Sequence, residues 1–177
     1  MSKVVVIDNF FDNFAKIIPS FKKIKLYNLE EFKKNFKSSE GSNWPGLRSG
    51  NLGDVEPFLE ALIIKEFNQK FNNFFNDKRF NVDSYMHLRL SEDFKNDFIH
   101  KDPVEYTLMI YLSETNLSSG TKLYDDNECC TQTINFVQNR AVIFPGFVNH
   151  KSMLNYGDNI DNGRLTINVF LNSIGDR

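Results

Sequence analysis

The stretch Arg164-Leu165-Thr166-Ile167-Asn168-Val169-Phe170-Leu171 alternates without a break. In an extended strand successive side chains point to opposite faces. Leu165, Ile167, Val169 and Leu171 therefore share one face, and Arg164, Thr166, Asn168 and Phe170 share the other. A strand patterned in this way has one side covered by apolar partners. Periodicity alone leaves open whether the Arg face meets water or the inside of a barrel.

The same period extends upstream. From Val82 onward apolar residues alternate, and turn signals at 116–120, 125–127, 145–146 and 155–163 divide the chain into short segments. The expected strands are 83–90, 106–112, 121–124, 131–137, 141–144 and 164–171. Before them the pattern differs. A short apolar run at 4–7 reads as a strand, and at 29–36 the apolar residues recur at helical steps with Lys and Glu outward. A longer helix is expected over 54–75, with Asp54 as cap and Pro57 tolerated in the first turn. Its apolar stripe is Phe58, Leu59, Leu62, Ile63, Phe67, Phe71 and Phe74. Helices followed by a run of strands predict an α+β domain, a jelly roll with N-terminal helices packed on one sheet. Residues 1–177 read as one domain, with 1–80 as mainly helical support and 82–171 as the β core.

Composition narrows the partners. The 177 residues suffice for one buried core, and 18 Phe suggest that aromatic rings fill much of it. A net charge of −2 does not imply phosphate-backbone binding. Residues 1–37 carry eight Lys against four acids, and this basic stretch, ending at Lys37, reads as a solvated face. Cys129 and Cys130 are adjacent, so a strand would point them apart and a bridge between them is disfavoured. Reduced thiols, no apolar run of membrane-spanning length and no signal-like core predict a cytoplasmic protein without a membrane partner.

The chemistry-bearing residues are His100-Lys101-Asp102, then His150, then Arg164. Two imidazoles and one carboxylate on a single ion are the facial triad of non-haem Fe(II) oxygenases, which leaves three octahedral positions for reactants. His100 and Asp102 can reach a common point from a strand end or tight turn, with Lys101 pointing away. Pro103 restricts Asp102 to an extended backbone. His150 follows the strand-like Ala141-Val142-Ile143-Phe144-Pro145-Gly146 and can be delivered from a neighbouring strand.

In this order the set resembles the 2-oxoglutarate- and Fe(II)-dependent oxygenases, especially their prolyl-4-hydroxylase-like branch. Met109-Ile110-Tyr111-Leu112-Ser113 resembles that family's Tyr-Leu-Asn segment, and Gly120-Thr121-Lys122-Leu123-Tyr124 the Gly-rich turn and strand that follow it. The resemblance covers residues 82–171 and implies a double-stranded β-helix. It implies that His100, Asp102 and His150 ligate Fe(II), and that Arg164 pairs with the far carboxylate of 2-oxoglutarate. Thr166 and Tyr111 would add hydroxyl donors to that carboxylate. The implied activity is a dioxygenase that hydroxylates a substrate and releases succinate and carbon dioxide, with ascorbate as a possible reductant. Family members that halogenate lack the carboxylate ligand, which Asp102 supplies here. Nucleic-acid demethylases of the superfamily carry a second Arg six residues after the first, where this chain has Phe170.

Competing readings are a non-catalytic jelly-roll metal-binding module and a cupin-like metalloenzyme, whose extra His or Glu near the first His is not evident. His87 reads as a hydrogen-bonded or exposed strand histidine. The segment Asn43-Trp44-Pro45-Gly46-Leu47-Arg48-Ser49-Gly50 reads either as an ordered loop anchored by Trp44 or as a substrate gate. The long interval between His150 and Arg164 leaves the register of Arg164 for the structure to decide. No residue pattern specifies the substrate, whether protein side chain, amino acid or small metabolite, or the oligomeric state.

Overall fold

A computed structural model describes residues 4–36, 44–75 and 78–176. Lys37 of the basic stretch and Asn43 of the Trp44 segment lie outside the described residues. The elements run β1 (Val5–Ile7), α1 (Phe14–Phe21), α2 (Leu29–Asn35), β2 (Leu47–Arg48), α3 (Leu52–Val55) and α4 (Pro57–Phe75). Strands follow as β3 (Lys78–Arg89), β4 (Tyr106–Tyr111), β5 (Asn116–Tyr124), β6 (Cys130–Phe136), β7 (Ala141–Pro145), β8 (Asn149–Ser152) and β9 (Arg164–Asp176). They form a six-stranded sheet, β1-β7-β4-β9-β3-β2, facing a three-stranded sheet, β6-β5-β8, and every pairing is antiparallel. This is the expected jelly roll.

Strand alternation divides the apolar residues between two cores. Leu165, Ile167, Val169 and Leu171 of β9, with Leu108 and Ile110 of β4, turn outward onto helix residues Leu59, Ile63, Phe67, Phe71 and Phe75. On the opposite face of the larger sheet, Met109 and Tyr111 of β4 with Val142 and Phe144 of β7 meet Leu123, Ile134 and Phe136 of the smaller sheet. Burying each of these side chains stabilises the fold by about 1.5–3 kcal/mol. Because the helices take the aliphatic face of β9, Arg164, Thr166, Asn168 and Phe170 must face between the sheets. That packing settles what alternation left open.

Several elements differ from expectation. The helix predicted over 54–75 is two helices, broken at Glu56, whose backbone (φ −146, ψ 61) leaves the helical region. The residue before a proline is pushed out of that region, and Pro57 follows. Asn51, not Asp54, caps α3 by accepting from the Gly53 amide at 2.9 Å. Phe58 is 80% exposed, because the buried stripe of α4 begins one residue later. The turn expected at 116–120 is instead the first half of β5, interrupted by a register shift before Gly120. Gly120 has φ +144, and a Cβ there would collide with the Ile134 carbonyl oxygen. Glycine marks a bulge here and not a turn. The short strands β2 and β8 carry too few residues to show a period. Cys129 and Cys130 are free and exposed. Among the described residues no helix is long and apolar enough to cross a membrane.

Candidate metal and cosubstrate site

His100 and His150 face each other across an isolated antiparallel bridge. The His100 amide donates to the His150 carbonyl at 3.1 Å, and the His150 amide to the His100 carbonyl at 2.9 Å. Their rings lie 4.3 Å apart, centroid to centroid. Asp102 is brought in by its amide, which donates to the Gly146 carbonyl at 2.8 Å. That approach requires Gly146, since a Cβ there would run into the Val104 carbonyl oxygen. Lys101 points away to an exposed ion pair with Asp126 at 3.1 Å.

One ligand atom from each of His100, Asp102 and His150 lies within 4.8 Å of the other two. The Nε2 atoms of His150 and His100 stand 3.3 Å and 3.9 Å from the Asp102 carboxylate. Each Nδ1 instead bonds a backbone carbonyl, Phe98 for His100 at 3.1 Å and Val148 for His150 at 2.9 Å. A carbonyl only accepts, so each Nδ1 carries a proton, and in the neutral imidazole the Nε2 lone pair then points inward. Three acceptors then converge on one point, an arrangement that a divalent cation satisfies. Burial, and after it the neighbouring His150, lowers the pKa of His100 and keeps its ring neutral. Burial alone would raise the Asp102 carboxyl, but the neighbouring His150 and a hydrogen bond from Thr107 more than offset it and hold the group below its ordinary range. The Thr107 hydroxyl donates to Asp102 Oδ2 at 2.6 Å.

The triad stands on the wall of a cavity of about 450 Å³ between the sheets, to which Arg164 also contributes. The register of Arg164 is fixed on both sides. It pairs with Arg89 of β3, and the Ser113 hydroxyl donates to the Gly163 carbonyl while accepting from the Leu165 amide at 2.8 Å. The loop over 155–163 is thus absorbed without shifting β9. Arg164 is 2% exposed, with Nη2 donating to the Gly120 carbonyl at 3.2 Å and Nε lacking a partner among the described residues. A buried guanidinium so poorly satisfied fits an anionic ligand.

Tyr111 and Thr166 are placed less directly. Tyr111 is fully buried, stacks on Phe136 at 4.4 Å, and donates its hydroxyl to Thr121 Oγ1 at 2.8 Å. Thr121 stands on the cavity wall in front of it. The Thr166 hydroxyl reaches Asn168 Oδ1 at 3.2 Å, and Asn168 lines the cavity. Thr107, Thr121, Asn168 and Arg48 are cavity residues that sequence reasoning did not single out for the site. For Thr121 and Asn168 the signal was present, as each shares a strand face with a residue that was named or lies beside one.

His87 is hydrogen bonded, its Nε2 lying 2.7 Å from the Pro45 carbonyl oxygen. Trp44 packs edge-on against Phe32 and His87, with centroids 5.4 Å and 6.0 Å apart. The Trp44 segment is therefore anchored, and it also forms one wall of the cavity. Arg89, opposite Arg164, is neutralised by Asp97 in a buried ion pair of 2.8 Å.

No family model matches the sequence, and no curated protein sequence does. Solved structures do match in shape. An oxidoreductase of the 2OG-Fe(II) oxygenase family from Burkholderia pseudomallei superposes with a TM-score of 0.63 at 9% identity, over 96% of this chain and 84% of that one. HygX from Streptomyces hygroscopicus, solved with nickel and 2-oxoglutarate bound, gives 0.62 at 9% identity, over 99% and 84%. A Pseudomonas putida prolyl-4-hydroxylase gives 0.54 at 14% identity, over 99% and 95%. The chain thus has the double-stranded β-helix fold that these oxygenases share.

Proposed function

We propose that this chain is an Fe(II)- and 2-oxoglutarate-dependent dioxygenase that hydroxylates a C–H bond of a protein side chain, an amino acid or a small metabolite. The observation that carries the reading is the convergence of two Nε2 lone pairs and one carboxylate, with both Nδ1 protons fixed on carbonyls. His100, Asp102 and His150 would hold the metal. When bound there, Fe(II) with 2-oxoglutarate and dioxygen supplies the oxidising power, and succinate and carbon dioxide are released.

The chain's own groups bind and orient. Arg164 takes the far carboxylate of the cosubstrate through its planar fork, a geometry that Lys does not reproduce. Thr121 offers a hydroxyl beside it, held by Tyr111 from behind. Thr166 occupies the carbonyl oxygen of Asn168, which leaves the amide nitrogen to face the ligand. The buried wall formed by these residues limits water around the reacting groups.

A non-catalytic metal-binding module would share the triad but has no use for the under-satisfied Arg164. The test is anaerobic calorimetry with Mn(II), then 2-oxoglutarate, followed by succinate detection with Fe(II) and oxygen. Mn(II) binding that His150→Ala removes, with 2-oxoglutarate binding only to the loaded protein, is the expected result. Absence of metal binding refutes the reading, and metal binding without cosubstrate binding leaves the module.

A further inference from the structure

Arg48 is a second cavity cation, used neither by the metal nor by the cosubstrate. Strand β2 places it, paired with His87 of β3 and bonded through its backbone to Tyr27, N–H to O at 2.8 Å in both directions. Its guanidinium lies 4.0 Å over the Tyr85 ring, 5.5 Å from Phe170 and 5.8 Å from Trp44. Aromatic faces hold the plane of the group, and its hydrogen-bonding edge is then left to the cavity that it lines.

No carboxylate of the described residues forms an ion pair with Arg48, and its Nε is buried without a hydrogen-bond partner. Burial lowers its pKa to about 10, so the charge persists at neutral pH. The other charged groups on the walls are already engaged. Arg89 pairs with Asp97, Asp102 belongs to the triad, and half-buried Asp83 accepts from Asn51 Nδ2 at 2.8 Å. A half-buried cation that lines a cavity without a counter-charge is costly unless a ligand supplies one.

We infer that Arg48 receives the carboxylate of the substrate, which is a small carboxylic acid, amino acids included. The assignment rests on the dioxygenase reading and deepens it. The planar fork suits a carboxylate, and the cavity of about 450 Å³ must also hold the metal and its cosubstrate, which favours a small acid. Phe170 and Tyr85 form the apolar floor under the charged end.

Trp44, the sole tryptophan of the chain, reports directly on this position. Wild-type protein is first saturated anaerobically with Mn(II) and 2-oxoglutarate, as measured by calorimetry. The standard amino acids, short-chain carboxylic acids, their primary amides and phosphate monoesters are then titrated while Trp44 emission is followed. At least one acid should shift the emission saturably, with its amide binding at least about tenfold more weakly. Arg48→Gln should weaken that acid by about tenfold to hundredfold, and Arg48→Lys should recover part of the loss. Amides or phosphate monoesters that bind as tightly as the acids, acid binding unchanged in Arg48→Gln, or silence across the panel would overturn the assignment. Silence on saturated protein removes the carboxylate site alone, whereas failure to load Mn(II) removes the dioxygenase reading beneath it. If Arg48→Gln does not fold, the comparison of acids with amides on the wild type decides.

Discussion

Replacing Asp97 with alanine tests how positive charge is held in the cavity wall beside Arg164. Arg89 and Arg164 stand opposite each other on β3 and β9, both buried, and Asp97 neutralises the first at 2.8 Å. The same carboxylate accepts from the Ser152 hydroxyl at 2.9 Å and from Asn155 Nδ2 at 2.7 Å, so it ties the end of β8 and the following loop to β3. Breaking a buried pair from one side strands the remaining charge and costs about 3–5 kcal/mol. For a chain of this size that corresponds to a fall in Tm of about 6–20 °C. The assay is urea and thermal unfolding of metal-free protein. Asp97→Asn should fall between wild type and Asp97→Ala, because it keeps an acceptor but loses the charge. The double variant Arg89→Met with Asp97→Leu should recover much of the stability, since neither charge is then buried. A loss below about 1 kcal/mol in Asp97→Ala, or a double variant no better than the single one, would show that the stranded charge of Arg89 is not the source.

Arg164→Lys keeps the charge but loses the fork, so 2-oxoglutarate affinity of the Mn(II)-loaded protein should fall by about one to two orders of magnitude while Mn(II) affinity holds; equal cosubstrate affinity would place Arg164 outside the site. Burial, and then the nearby Arg89 and Arg48, hold the pKa of His87 well below the 6.5 of a free histidine. The unfolded chain therefore binds a proton that the folded chain refuses, and stability falls as pH drops below about 6.5. Metal-free wild type should lose stability faster than His87→Asn between about pH 6.5 and 5, and parallel curves by thermal denaturation would count against it. Gly120→Ala meets both φ +144 and the Ile134 carbonyl, so a loss of about 2 kcal/mol or more is expected in urea unfolding, with weaker 2-oxoglutarate binding because the Gly120 carbonyl positions Arg164. A variant with wild-type stability would mean that the bulge relaxes freely.

Local pattern was enough for much of this chain. The alternation of Leu165, Ile167, Val169 and Leu171 specified β9 and its two faces, because a strand's side chains must alternate whatever surrounds it. His100, Asp102 and His150 could be named as a set because few side-chain types can serve an open iron site, and their order limited the choice. What lies between the sheets could not be read in this way. Arg164 faces inward only because the Phe residues of α4 cover the opposite face of β9. Asn116 to Gly120 carries turn-forming residues, yet pairing with β6 overrides that preference and turns the glycine into a bulge. Arg48 looked like part of a loop, since two paired residues have no period to detect. Its role depends on Tyr85, Phe170 and Trp44, which are far from one another in sequence and meet only when β2, β3 and β9 lie side by side. A strand's faces follow from its covalent geometry, but whether a charge is buried, paired or left for a ligand depends on which distant groups the folded sheets bring against it.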